Sequence, residues 1–202
     1  MNDVQHNNAL AFSARVLGAL FYFAPNSTLA EPLVIAFTDG EWVTQWPYPV
    51  LHADTLSAGF ASPAEESLAE AWQRLFIGPD ALPSPPWGSV WLDRENVLFG
   101  DSTLALRQWM RENQIAFDVQ QNEPEDHFGT LLLAASWQEG QSAEDESEAL
   151  ETLFAEYLRP WCGTFLGKVE AHATTPFWRT LAALTRDAIA AMWDELQEAE
   201  EE

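Results

Sequence analysis

The sequence predicts an all-α protein, a single compact domain of about nine helices, and three observations carry that prediction. Apolar residues recur at spacings of three and four along most of the 202 residues, alternating strand-like stretches are scarce, and Pro, Gly and capping residues punctuate the chain at helix-length intervals. With 47% hydrophobic and 12% aromatic residues, the whole of 1–202 can bury one core.

Taken in order, the first helix spans Asn8 to Phe23, with Phe12, Val16, Leu17, Leu20 and Phe21 on one face and Pro25 as its stop. Thr28 and Glu31 match a capping box for a short second helix, which Asp39-Gly40 closes. Glu41 to Pro49 holds two Trp, two Pro and a Tyr, and reads as an ordered aromatic connection. Ser62, Pro63 and Glu65 carry the signature of a helix start; Leu68, Trp72, Leu75 and Phe76 follow in phase until Gly78-Pro79. The four prolines between Gly78 and Gly88 make a long restrained loop. Short extended pieces fit Val90 to Phe99.

Asp101 or Ser102 can cap a helix reaching Asn113, and another begins near Glu125 or Asp126 with Phe128, Leu131, Leu132 and Ala135 facing inward. Gln138 to Ser147 is a surface loop or a charged helix start. Glu148 to Tyr157 is helical, and Pro160 breaks it. Thr175-Pro176 opens the last helix, striped by Phe177, Leu181, Leu184, Ala188, Met192 and Leu196. Its acidic end, 198–202, places negative charge at the negative pole of the helix dipole and is expected to fray.

Nine Lys+Arg against 32 Asp+Glu leave a net charge of −23. Binding to nucleic-acid backbone needs Lys and Arg on phosphates, so nucleic acid is excluded as a general partner, and anionic lipid is disfavoured for the same reason. A basic partner such as a cationic peptide is favoured, although many of these carboxylates serve solubility alone. Cys162 is the single cysteine, so no intramolecular disulfide forms, which fits a reducing compartment. The start lacks a basic region, and Leu10 to Ala24 is interrupted by Ser13 and Arg15. No apolar run reaches the roughly 20 residues that span a bilayer. A soluble cytoplasmic protein without a transmembrane segment is expected.

Two constellations stand out. Glu123, Pro124, Glu125, Asp126 and His127 form the densest cluster of ionisable groups, placed where a helix begins. The helix dipole favours carboxylates there, and the carboxylates would favour a protonated His127. Three readings are open: Asp126 as an N-cap among solvated neighbours, an acid/base pair, or a metal site that lacks further ligands nearby. The second constellation is aromatic and proline-rich, with Trp72, Leu75 and Phe76 followed by Pro83, Pro85, Pro86, Trp87 and Trp91. Core packing suits Leu68 and Leu75, yet ten Trp exceed what burial alone requires, and Trp is favoured where apolar peptides dock. An apolar groove with an acidic rim suits a peptide that is basic at one end and hydrophobic along the rest.

Four segments are similar to the TorD/DmsD family of redox-enzyme maturation chaperones, and to its DmsD branch most. They are Trp72-Gln-Arg-Leu-Phe-Ile-Gly-Pro79, Ala81 to Arg94, Val97 to Arg111 and Gln121 to Gly129, joined by the first helix from Ala14 to Tyr22. The resemblance implies an all-helical fold, no catalysis and no cofactor of its own. It implies a cytoplasmic proofreading chaperone that binds the twin-arginine signal peptide of a molybdoenzyme catalytic subunit, dimethyl sulfoxide reductase type. The chaperone would hold its client until cofactor insertion and then release it to the twin-arginine export machinery. By position, Trp72, Leu75 and Phe76 match the leader-binding helix; Pro86, Trp87 and Gly100 the neighbouring loop; Pro124, Asp126 and His127 the acidic motif. The leader's arginines are expected at Glu123, Glu125 and Asp126, and its apolar region against Trp72, Leu75, Phe76 and Trp87. Asp80 stands where close relatives carry an aromatic residue, which implies a less apolar wall. The alternative functions are a small acid/base enzyme or a nucleotide-responsive switch built on Glu123–His127, the latter without a phosphate loop.

Overall fold

In the computed structural model, which describes residues 3–115, 123–137 and 143–200, regular structure is helical apart from one isolated bridge between Trp87 and His127. The first half holds α1 (Asp3–Tyr22), α2 (Glu31–Thr38), α3 (Trp42–Gln45), α4 (Ala53–Ala61) and α5 (Leu68–Trp72), which continues as a π-helical turn over Gln73–Ile77. After the proline-rich loop come α6 (Gly88–Leu92), α7 (Asp101–Glu112) and α8 (Phe128–Ala135). The second half is α9 (Ala143–Thr152), a π-helical stretch Leu153–Leu158, α10 (Arg159–His172) and α11 (Pro176–Glu200). Among the described residues no helix is long and apolar enough to cross a membrane.

The core is aromatic at its centre. Phe21 meets Phe76, Phe128, Phe165 and Trp178, drawing α1, the π-helical turn after α5, α8, α10 and α11 onto one cluster. Burial of each such ring contributes about 1.5–3 kcal/mol. α11 packs its predicted stripe against α10 and α4, with Phe177, Leu181, Leu184, Ala188, Met192 and Leu196 all buried. α1 and α8 cross in close contact, because Gly18 and Gly129 face each other. A Cβ on Gly129 would stand 2.8 Å from the Gly18 carbonyl oxygen and 2.7 Å from Tyr22 Cβ. This backbone-to-backbone approach sets the end of α1 beside the start of α8.

Several expectations need correction. The helix expected from Ser62 begins five residues later, because α4 runs to Ala61 and takes Ser62 as its C-cap, the hydroxyl donating to the Ala58 carbonyl at 2.6 Å. Ser67 and Glu70 supply the capping box instead: the Glu70 N–H donates to Ser67 Oγ at 3.2 Å and the Ser67 N–H to Glu70 Oε2 at 2.9 Å. Thr28 does not cap α2; Ala30 is the N-cap, without a side-chain bond. Trp42–Gln45 is a turn of helix inside the aromatic connection, and Gly88–Leu92 is helical where extended pieces were expected. Pro160 does not end the helical path, since it occupies the first turn of α10, where a missing N–H is tolerated, after the π-helical stretch has released the ladder. Phe12 is exposed rather than inward. Residues 138–142 of the acidic stretch and 201–202 of the acidic end lie outside the described residues.

Candidate functional site

Chain geometry around the acidic motif follows from backbone accounting. The loop before α6 and the segment before α8 lie antiparallel: the Phe128 N–H donates to the Pro86 carbonyl at 2.7 Å and the Gly88 N–H to the Asp126 carbonyl at 3.0 Å. Pro86 and Pro124 are both buried in this joint. Asp126 then binds two further elements with one side-chain oxygen. Its Oδ2 accepts from the Ser89 N–H at 2.6 Å, at the start of α6, and from Thr103 Oγ1 at 3.0 Å, in the first turn of α7. The carboxylate is therefore not the N-cap of its own helix. That role falls to His127, whose Nδ1 accepts from the Gly129 N–H at 3.0 Å.

A second carboxylate caps α7 from outside. Gly100 is the N-cap position and has no side chain to offer, but Asp93 reaches across the loop, accepting from the Ser102 N–H at 3.1 Å and from Ser102 Oγ at 2.9 Å. A Cβ on Gly100 would overlap Asp93 Oδ2. Gly100 adopts an ordinary φ of −72°, so the glycine serves space and not backbone freedom. The expectation that Asp101 or Ser102 caps this helix is thus replaced by Asp93, nine residues upstream.

The four ionisable groups of the motif have different fates. Burial pushes the His127 imidazole down to about 3, and its bond from Gly129 places the neutral ring's proton on Nε2. The expected imidazolium does not form. Burial raises Asp126 against the bonds from Ser89 and Thr103. Glu125 is opposed by burial, but Arg107 outweighs it through a bidentate pair at 2.6 and 2.8 Å, leaving the carboxyl below its ordinary value. Glu123 is half-buried and raised, by burial first, while the bond from Trp87 lowers it and Asp126 raises it. The Trp87 indole N–H donates to Glu123 Oε1 at 2.5 Å, and Trp87 is the sole hydrogen-bonding partner of Glu123 among the described residues.

The aromatic residues also divide. Leu75 and Phe76 are 0% and 1% exposed and belong to the core cluster, so in this conformation they offer no surface to a ligand. Trp72 and Trp87 are half-buried. The Trp72 indole N–H points to the Phe21 carbonyl at 3.4 Å, and the Tyr22 and Trp87 rings both set their edges against His127, at centroid separations of 5.2 and 6.0 Å. Trp72, Tyr22, His127 and Trp87 therefore form an arc around the end of α1, with Glu123 at the Trp87 end. Tyr22, Ser89, Asp93, Thr103 and Arg107 complete the site without having been singled out from the sequence. The signal they carried was shared: all five lie within the segments that are similar to the family. Of the ten tryptophans, Trp42, Trp161 and Trp178 are buried, six are half-buried and Trp137 is exposed. Asp80 lies exposed after Pro79.

Fold and site define a class. This is an all-helical domain with an acidic, indole-walled corner suited to binding: its histidine is locked as a hydrogen-bond acceptor, and the adjacent aspartate holds backbone rather than a reacting group. Residues 48–167 match the family model described as nitrate reductase delta subunit, and the chain belongs to this TorD/DmsD family. It is 56% identical over 190 residues to the Tat proofreading chaperone DmsD of Salmonella typhimurium LT2, covering 94% of this chain and 92% of the relative. It is 48% identical over 196 residues to the chaperone protein YcdY of Escherichia coli K12, covering 96% and 100%. A probable Tat proofreading chaperone DmsD of Haemophilus influenzae is 36% identical over 178 residues, covering 87% and 86%. The family and these relatives are chaperones, and the chain is a chaperone and not an enzyme.

Proposed function

We propose that this chaperone binds the twin-arginine signal peptide of a molybdoenzyme catalytic subunit of the dimethyl sulfoxide reductase type in the cytoplasm. It holds the subunit until its cofactor is inserted and then passes it to the export machinery. The single observation that carries the reading is the state of the motif's carboxylates. Asp126 is turned inward and Glu125 already holds an arginine of this chain, which leaves Glu123 as the half-buried carboxylate able to take a second one. A carboxylate accepts at about four lone-pair positions and pairs with guanidinium in a bidentate fork. Glu123 has given one position to Trp87, so an arginine can share the group while its plane lies by the indole.

Recognition then proceeds from electrostatics to packing. The net charge of −23 draws a basic leader in, Glu123 fixes one guanidinium, and the arc of Trp72, Tyr22 and Trp87 receives the first apolar residues that follow. Asp126 and His127 act by holding the loop, α6, α7 and α8 in place. Titration calorimetry with a synthetic twin-arginine leader tests this. Glu123→Gln keeps an acceptor for Trp87 and removes the charge, and is expected to weaken binding about tenfold or more, in line with a charge-assisted bond of about 1.5–3 kcal/mol. Wild-type affinity in the variant, or no preference of the wild-type protein for the leader over a scrambled peptide of equal charge, would overturn the proposal.

A further inference from the structure

The hairpin from α6 into α7 exposes an unusual run of apolar side chains. Leu92 ends α6, Val97, Leu98 and Phe99 are consecutive in the loop, and Leu104 lies in the first turns of α7, all between 38% and 51% exposed. Five of the chain's exposed large apolar side chains thus fall within 13 residues. The loop that bears them is pinned. Asp93 closes it onto Ser102, the Asn96 N–H donates to the Asp93 carbonyl at 3.1 Å, and Asn96 and Phe99 hold φ values of 51° and 57°. A left-handed conformation is unfavourable for Phe, so the fold spends free energy to keep this side chain where water meets it. The hairpin is tied to the site, because Ser89 in α6 and Thr103 in α7 hold the same Asp126 oxygen.

We infer that this hairpin is the docking surface for the apolar stretch of the peptide whose basic end is held at Glu123. The inference rests on the function proposed above and deepens it. A leader's apolar stretch runs to about 7–15 residues, more than two half-buried indoles can cover, and Leu75 and Phe76, the other apolar residues of that wall, are inside the core. Charge selects the occupant. The hairpin carries Asp93, Glu95 and Asp101 against one cation, Arg94, on a chain of net charge −23. A second copy would bring like charge to like charge, whereas a peptide with a basic end and a neutral apolar body is attracted at its entry and meets no repulsion along its length.

Calorimetry with the synthetic twin-arginine leader tests the assignment on the full chain. Leu98→Ser and Leu104→Ser replace exposed side chains, and Leu51→Ser, at 78% exposure, changes an apolar surface residue elsewhere. The expected result is a loss of affinity of about tenfold in each hairpin variant, an unchanged affinity in Leu51→Ser, and monomers throughout by sedimentation. Equal affinity in all three variants overturns the inference while leaving the Glu123 reading intact. A wild-type protein that ignores the leader overturns that reading first. A dimer that Leu98→Ser dissolves assigns the surface to a second copy and also overturns the inference.

Discussion

At the scale of single residues, His127 shows how burial reverses a sequence expectation. Three neighbouring carboxylates favour the imidazolium, but the ring sits at 4% exposure between Tyr22 and Trp87 and accepts from Gly129, and desolvation wins. The consequence for stability has a definite sign. Between about pH 6.5 and about 3 the unfolded chain binds a proton at this residue that the folded chain refuses, so stability falls as the pH is lowered through that window. Asp126 and Glu123, both raised, work in the opposite direction as carboxylates. His127→Asn retains a side-chain acceptor at the N-cap and removes the titration. Urea unfolding between pH 4 and 6.5 is expected to show the wild-type protein losing up to about 1.4 kcal/mol more per pH unit than the variant. Parallel pH profiles would place the imidazole in contact with water.

At the scale of elements, the site is a consequence of how α6, α7 and α8 are capped. Two aspartates serve helices other than their own: Asp93 closes α7, and Asp126 holds α6 and α7. Gly100→Ala is expected to destabilise the protein by about 1–3 kcal/mol, since the new methyl group and the Asp93 carboxylate cannot occupy one place. Asp93→Ala alone loses a cap, at about 1 kcal/mol. In the double variant the Gly100→Ala effect should largely vanish, because the obstruction is gone; strict additivity in urea unfolding would show that Gly100 matters for another reason. The same elements explain what was legible beforehand. The inward face of α8 and the stripe of α11 follow directly from apolar spacing, and both are buried as read. Caps read from the nearest Asp, Ser or Thr differ from those observed at α2, α5 and α7, and at α7 the capping group comes from a distant residue, Asp93. Ser62 and Ser67 both precede a Glu by three residues, and only the tertiary position of α4 decides between them. The helix α10 carried no opening signal, because its start is hidden in a continuous helical path.

At the scale of the whole molecule, the acidity noted from composition separates by location. The structure brings Trp87, Glu123, Asp126 and His127 to one corner, while Leu75 and Phe76, expected on the same wall, lie in the core. What the sequence could not show is which carboxylates face outward, since Glu123, Glu125 and Asp126 are alike in composition and differ only in who reaches them. That difference is the centre of the proposed function: among the described residues Glu123 is held by one indole N–H, and it is the group proposed to take a leader arginine. The Trp87 side chain reports on it directly. In a nuclear magnetic resonance titration of 15N-labelled protein, a twin-arginine leader should shift the Trp87 indole N–H resonance in proportion to saturation, while leaving those of the buried Trp161 and Trp178 in place. The same peptide with both arginines replaced by glutamine should leave the Trp87 resonance unmoved. A leader that saturates the protein without shifting Trp87, or a glutamine peptide that shifts it equally, would contradict the account.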